Sequence, residues 1–523
     1  MNSVNRSAVR LGFWAVLLLG VFAWAPATYP GYWKSLEGFV PVFNVEASSA
    51  IASVATVPDL WRGTGRAAFL LAQPLLLMGV SPVAAVRALF ILAFLLGGLG
   101  VYIWLEPRLG DRAAGLAGLA YMLLPPLLAT VYVRGSLGDA LIAGLLPLAL
   151  AGTAIYAESR APSAAAIGVL SILWMWRIQA GLAVFATLLL LLYALLVERH
   201  PLAGLVVAVS GAAGLVSLVP LWAVQAPPVE PFGQHFLYLH QLLVGQWTVA
   251  PSVAGWQDRY PFQLGFAVWG LASVGFWLWR VDRVRLPLAQ WRRLLLFSFG
   301  GAAILLGLTL GISQPLWEWT RASRLLSYPW QLLIVAAPLL AVVTASAVAL
   351  SPVFQRPLLW TALVALVVLS SYPYLTADYT RYQPPERPVA IVGERQELVL
   401  LEAHLTQDPR HAVAELSVTW QVLHPLAFDY NVFFQALAPG ENGLHVVAQL
   451  DTQPLQGKRP ATTWQVGEIL EDHYRLDLSQ VADLLQEDPG RLQFYFGYYD
   501  WRDGSRLPVD GGIDDKLVFH GER

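Results

Sequence analysis

A chain of 523 residues that is 56% hydrophobic and only 13% charged, with 21 Trp and a mean hydropathy of +0.54, lies outside the soluble class. Its formal net charge of -2 gives no support for nucleic acid as a partner, and the lack of Cys excludes disulfides, thiolate metal sites and Cys nucleophiles. The composition describes a polytopic membrane protein.

Arg6 and Arg10 precede the apolar run Leu11 to Ala25. No small-x-small cleavage site follows, so the run reads as an uncleaved first transmembrane helix. A crossing takes about 20 apolar residues. Spans are expected at 11–28, 83–105, 113–132, 138–157, 163–179, 181–197, 202–225, 262–279, 294–312, 329–349 and 357–376, about eleven in all. The run 67–81 is short and carries Gln73 and Pro74; it reads as a juxtamembrane or re-entrant helix. Basic residues collect on the cytoplasmic side. Arg6 with Arg10, Arg108 with Arg112, Arg160, Arg199 and the segment Arg280 to Arg293 all fall on one side when the count is odd. The N-terminus is then cytoplasmic and the C-terminal part extracytoplasmic.

Four segments face the extracytoplasmic side in this topology: 29–66, 133–138, 226–261 and 313–328, with the junction Trp176 to Gly181 reaching the same face. In the first, Gly63 and Gly65 allow a tight turn or a close backbone approach. Arg62 and Arg66 suit a phosphate through charge-assisted hydrogen bonds, or they are snorkelling residues of a solvated loop. The second holds VYVRGSLGDAL, Val131 to Leu141, with Arg134 and Asp139 about the glycines. A charge in mid-bilayer is costly, so the two read as an interfacial pair ending one helix and starting the next, or as part of a site. The third carries His235, His240, Trp247, Trp256, Asp258 and Arg259; its histidines are five apart, a poor spacing for two metal ligands on one helix face. Its aromatics fit an interfacial belt or a platform under a sugar or lipid head. In the fourth, Glu318, Arg321 and Arg324 are three apart and are expected to share a helix face, as a phosphate clamp or a rim.

The apolar runs end near residue 376. The expected division is a membrane domain 1–378, a linker 379–395 containing YTRYQPPERP, and a soluble domain 396–523. Ala414–Leu423, Tyr430–Leu437, Leu444–Asp451 and Arg491–Asp500 alternate as strands, separated by APGENG, DPG, RDGS and DGG turns. This pattern predicts an all-β sandwich. Asp451, Asp472 and His473 read as loop and turn residues there. The chain shows no P-loop, nucleotide-binding glycine fingerprint, catalytic Ser elbow or zinc motif.

Taken together, PDLWRGTGRAAFLLAQPL, YMLLPPLLATVYVRGSLGDALIAGLLPLAL, HFLYLHQLLVGQWTVAPSVAGWQDRYPFQLG and SRLLSYPWQLL resemble a bacterial family labelled pyruvoyl-tetrahydropterin-synthase-related membrane proteins, itself similar to GT-C membrane glycosyltransferases. The tail, through VTWQVLHPLAFDYNVFFQAL and FGYYDWRDGSRLPV, resembles a β-sandwich at the C-terminus of related proteins. The resemblance implies a helical GT-C-like fold in the bacterial plasma membrane. It implies transfer of a sugar from a polyprenyl-phosphate carrier to an envelope glycan, lipid or protein at the extracytoplasmic face. An outer-loop carboxylate acts as base in that chemistry and cations hold the leaving phosphate. Arg134 becomes the leading phosphate contact, with Arg62, Arg66, Arg321 and Arg324, and Asp139 the orienting acid. Arg177 joins them; it and Gln179 stand where relatives show His. The chain departs from the pattern in its first loop, which has Asn44 and Glu46 and no Asp before Asp59. Either Glu46 or Asp59 serves as base, or the chain is a non-catalytic relative acting as a scaffold or lipid-binding subunit. A divalent cation is left open, and membrane lipids are expected partners. A transporter is a third alternative, against which stand the missing internal repeat and proton relay.

Overall fold

The computed structural model describes residues 10–50, 61–219, 231–281, 289–383, 388–440, 443–510, 512 and 514–520. Asp59 and Arg6 lie outside them. Among the described residues, eight helices are long and apolar enough to cross a membrane: Leu11–Thr28, Pro82–Leu109, Asp111–Arg134, Leu137–Ser159, Ala180–Val197, Trp291–Thr309, Pro329–Leu350 and Pro357–Tyr374. Shorter apolar helices, Pro162–Ile178, Pro201–Val216 and Phe266–Val281, occupy the other three expected spans. The expected span at 262–279 begins only at Phe266, after Pro261 and a Gly265 with φ of 88°. The run after Arg66 forms two five-residue helices, Arg66–Leu70 and Gln73–Leu77, the second with Pro74 in its first turn. Neither is long enough to cross.

The helices belong to a unit of residues 1–35 and 56–379. Basic residues from distant segments gather at one end of it. Arg10 lies 3.8 Å from Glu106. Arg108 pairs with Glu198 at 2.9 Å, both almost fully buried, while Arg293 donates to the Val197 carbonyl at 2.9 Å. Asp111 receives the backbone N–H of Gly12 at 2.8 Å, capping the first helix from another one. The opposite end closes differently: the Tyr379 hydroxyl donates to the Pro26 carbonyl at 2.8 Å, and Lys34 N–H to the Asp378 carbonyl at 2.7 Å. The chain therefore enters this unit at one end and leaves it at the other. Helix Pro329–Leu350 is buried throughout and forms its centre.

The second unit comprises residues 36–55 and 380–523. It contains two antiparallel sheets. One runs Val509–Asp510, Ala390–Val392, Leu398–Asp408, Val413–Val422, Ile469–Asp477; the other runs Leu517–His520, Gln493–Tyr499, Asn431–Gly440, Gly443–Thr452. All four sequence-predicted strands are present. Alternation is cleanest in Ile469–Asp477, where every second residue is buried. Trp420, Phe434, Phe494, Phe496 and Tyr498 fill the core. Such side chains are worth about 1.5–3 kcal/mol each on full burial.

Two features differ from the sequence expectation. Asp451, Asp472 and His473 are strand residues. Asp472 occupies an inward position of its strand, 4% exposed, where the Tyr474 hydroxyl and the Leu455 N–H (2.6 Å) satisfy it. Local hydrogen bonds let a carboxylate take a core position. The unit also begins inside the expected linker, because Ala390–Val392 pairs with Leu398–Leu400, and it includes helix Val40–Ala50. Phe39, Val42 and Val45 are wholly buried, and Phe39 N–H donates to the Leu423 carbonyl at 2.8 Å.

Candidate functional site

At the end of the helical unit away from the basic cluster, five stretches distant in sequence meet. The segment Asp111–Arg134 ends in a five-residue π-helical turn, Thr130–Arg134, a geometry common at functional sites. Gly135 stops it with φ of 78°, in the left-handed region that a side chain disfavours. Its N–H and that of Ser136 both return to the Thr130 carbonyl, at 3.0 and 3.1 Å. The next helix, Leu137–Ser159, starts at once and carries Asp139 in its first turn, where the helix dipole favours an anion.

Arg134 and Asp139 form an ion pair, the arginine side chain 12% exposed and the aspartate fully buried. The two do end one helix and start the next, as read from sequence, but they are buried. Gln331 completes the arrangement. Its amide nitrogen donates to both Asp139 oxygens at 3.1 and 3.3 Å, and its carbonyl accepts the N–H groups of Ser327 and Tyr328 at 3.0 and 3.1 Å. The Arg134 guanidinium stands 5.7 Å from the Tyr328 ring centre and 5.4 Å from that of Trp330. Cation–π contacts of this kind contribute about 0.5–2 kcal/mol. A buried ion pair pays heavily for desolvation, so packing stability alone is a poor reason to keep one among apolar helices.

The WRGTGR stretch packs beside this pair. Gly65 N–H donates to the Ile178 carbonyl at 2.6 Å, and a Cβ at Gly65 would lie 2.3 Å from the Arg177 carbonyl, so the close approach requires glycine. Gly181 N–H donates to the Trp61 carbonyl at 2.9 Å, Gln179 to that of Arg62 at 3.4 Å, and Thr64 lies against Gly138. Arg62 and Arg66 are thereby carried, half-buried, to the helix ends that hold Arg134 and Asp139.

The other candidates are more dispersed. Arg177 is exposed, and its guanidinium donates to the Ser217 carbonyl at 3.1 Å. Arg321 and Arg324 are exposed, and they do not share a helix face with Glu318. Helix Gln314–Thr320 ends before them, Arg321 takes a left-handed φ of 56°, and a separate turn, Ala322–Arg324, follows. Spacing of three counts as one face only while the helix continues. Glu46 belongs to the second unit. The Tyr382 hydroxyl donates to it at 3.5 Å, and partial burial raises its carboxyl above the ordinary carboxylate value. Among the described residues, no group of three His, Asp or Glu stands together to hold a metal ion.

Sequence reasoning missed Gln331, Tyr328 and Trp330. A polar side chain opening an otherwise apolar span was the available signal. The cluster continues beyond them. Trp330 stacks on Tyr328 (4.7 Å between centres) and on Tyr260 (4.6 Å). The His235 ring meets Tyr328 edge-on at 5.0 Å.

No family model and no curated protein matches this chain, so the resemblance to the pyruvoyl-tetrahydropterin-synthase-related family has no counterpart there. Among solved structures, ArnT from Cupriavidus metallidurans bound to undecaprenyl phosphate is similar over 68% of this chain and 62% of that one, with 14% identity and a TM-score of 0.41. The same protein in the apo state gives a TM-score of 0.38 at the same identity and coverage. The chain thus spans about 62% of the length of the solved structures it matches.

Proposed function

We propose that this is a multi-pass membrane glycosyltransferase of GT-C type. It moves a sugar from a polyprenyl-phosphate carrier to an envelope acceptor at the extracytoplasmic face of the bacterial plasma membrane, with its N-terminus cytoplasmic. The observation that carries the reading is Arg134, a nearly buried cation held by Asp139, Tyr328 and Trp330 at converging helix ends. Its planar fork matches phosphate oxygens. Arg62 and Arg66 stand at the same helix ends, and Arg177, Arg321 and Arg324 serve as outer contacts for the carrier. In the reaction an acceptor hydroxyl attacks the anomeric carbon, its proton passes to a carboxylate, and the bond to the carrier phosphate breaks. The arginines stabilise the charge that develops on the departing phosphate.

Asp139 orients Arg134; both its oxygens are already engaged by Gln331. Glu46 is the better candidate base, because a carboxyl raised by burial takes a proton more readily near neutral pH. Asp59 remains the alternative base. A second reading, carrier binding without transfer, draws support from the same engagement of Asp139, which leaves the described part of the helical unit without a base among the residues proposed. The test is transfer from a panel of polyprenyl-phosphate sugars by the purified protein with envelope lipid extract, alongside Glu46→Gln and Arg134→Ala. Loss in both variants supports transfer. Wild-type binding that depends on Arg134, with no transfer, supports the second reading. Absence of both binding and transfer removes the proposed donor class.

A further inference from the structure

The aromatic side chains around Arg134 form a continuous stack, Tyr260 on Trp330 on Tyr328, with centre spacings of 4.6 and 4.7 Å. Both ends of the stack lead to the same carboxylate. At one end, Asp258 Oδ1 accepts the Tyr260 backbone N–H at 2.9 Å. At the other, Asp258 Oδ2 accepts the Ser252 hydroxyl proton at 2.5 Å. Ser252 Oγ lies 3.0 Å from His235 Nδ1, and the His235 ring packs edge-on against Tyr328. A serine hydroxyl has one proton to give. With that proton directed at Asp258, Oγ must accept from His235, which sets the imidazole with a proton on Nδ1. The order Asp–Ser–His ties the serine hydroxyl down, so it is an anchor and no nucleophile. His235, Ser252 and Tyr260 are all at least nine-tenths buried.

We infer that Asp258 is a positioning residue for the Arg134 site, holding both ends of the Tyr260–Trp330–Tyr328 stack and so fixing the aromatic face against which the guanidinium is set. The inference rests on the phosphate reading of Arg134 and adds specificity to it. Asp258 touches neither Arg134 nor Asp139 in any described hydrogen bond and acts through the rings. Asp258 lies in the segment 226–261, whose aromatics the sequence reads as an interfacial belt or a platform. The structure gives that platform a cause: one acid in an exposed loop clamps it. Charged and titratable groups about the clamp include His235 within the array, Tyr260 and Tyr328 in the stack, Arg134 over its rings, and Arg259, next in the chain.

The experiment measures undecaprenyl phosphate binding by the purified full chain in detergent. The proteins are wild type, Asp258→Asn, Ser252→Ala, Ser252→Thr, Tyr328→Leu and the Asp258→Asn/Tyr328→Leu pair, with Arg134→Ala as reference. Asp258→Asn and Ser252→Ala are expected to weaken binding about tenfold, within the range of coupled neighbours. Ser252→Thr, which keeps the hydroxyl, is expected to bind as wild type. In the Tyr328→Leu background, Asp258→Asn should add nothing, because the ring it positions is gone; a purely structural lesion would add its full effect. An equal loss in both backgrounds, or wild-type binding by Ser252→Ala, overturns the inference. The parent reading fails separately: Arg134→Ala binding as wild type removes it. Loss in Arg134→Ala with no effect of Asp258→Asn removes only the anchor.

Discussion

The β unit and the Arg134 end of the helical unit both bury a carboxylate, and they do so by opposite routes. Asp472 is satisfied locally, by Tyr474 two residues on in the same strand and by Leu455 seventeen residues back. Asp139 is satisfied by Arg134 and by Gln331, the latter 192 residues away. The first is a feature of one strand and its neighbouring turn. The second exists only because helices from both halves of the membrane unit end at the same place. A polar group supplied from nearby sequence can serve the core of a sandwich. A polar group supplied from far along the chain couples whole helices, and that is where a binding site gains defined geometry.

The sharpest way to break this comparison is to remove Arg134. Arg134→Ala leaves Asp139 buried with its ion partner gone, an event that costs about 3–5 kcal/mol in buried pairs, and undecaprenyl phosphate binding should be lost with it. Thermal unfolding in detergent reads the first effect and ligand binding the second. The double variant Arg134→Met/Asp139→Leu should recover stability and leave binding absent. If it recovers both, the pair has no role with phosphate. Trp420→Ala, at a 1%-exposed position of the β core, should cost a comparable amount, about 3–5 kcal/mol. Its loss should appear in hydrogen exchange of peptides from the β unit with carrier affinity unchanged. A large change in affinity would mean that the sandwich contributes to the phosphate site.

Gln331→Ala is an intermediate case. It withdraws a donor from Asp139 and leaves the Ser327 and Tyr328 N–H groups without that acceptor, at about 1–3 kcal/mol for unmet buried groups. Binding should weaken less than in Arg134→Ala. Equal binding in wild type and Gln331→Ala would argue that Asp139 alone suffices to set the arginine.

The smallest effect concerns pH in the β unit. Burial raises the Glu397 carboxyl to about 7, from 4.5. Between those values the folded unit binds more protons than the unfolded chain, so the contribution of Glu397 to stability is present below 4.5 and is lost as pH rises through about 7. Burial lowers the His424 imidazole to about 3, from 6.5. Its contribution has the opposite sign, present above 6.5 and lost as pH falls through about 3. From 4.5 to 6.5 the two contributions oppose each other, so exchange protection of strand Val413–Val422 should rise with pH from about 3 and level off above 4.5 in wild type. In Glu397→Gln the rise should continue to about 6.5; a variant that levels off as wild type does assigns the effect to another group.

Much of the architecture was legible because its signals are periodic. Apolar runs marked the helices, and alternation marked strands such as Val413–Val422, whereas Ile469–Asp477 was missed because its outward residues are mostly charged and its inward ones include Asp472. Arginines at run ends separated one end of the helical unit from the other, and the contacts of Arg10, Arg108 and Arg293 join those residues as the sequence grouped them. Failures came where a local rule met a break or a distant partner. Arg321 and Arg324 lost their common face because the backbone turns left-handed at Arg321. Helix Val40–Ala50, with Glu46, groups with the β unit although it lies in sequence between two segments of the helical one; at its start Phe39 packs against Tyr382 and Gly467 and its N–H donates to the Leu423 carbonyl.

The sequence by itself determined the class of the protein, the places where its long apolar helices and four of its strands lie, and the positioning of Arg134 and Asp139 on either side of a helix break. Hydrophobic period, glycine and charge act within a few residues, which is why these features can be read in order along the chain. Tertiary structure alone decided what surrounds the arginine. Gln331, Tyr328, Trp330 and the Asp258 anchor reach it only through the packing of helix ends and loops, since a hydrogen bond or a ring stack depends on distances in space that no local pattern encodes.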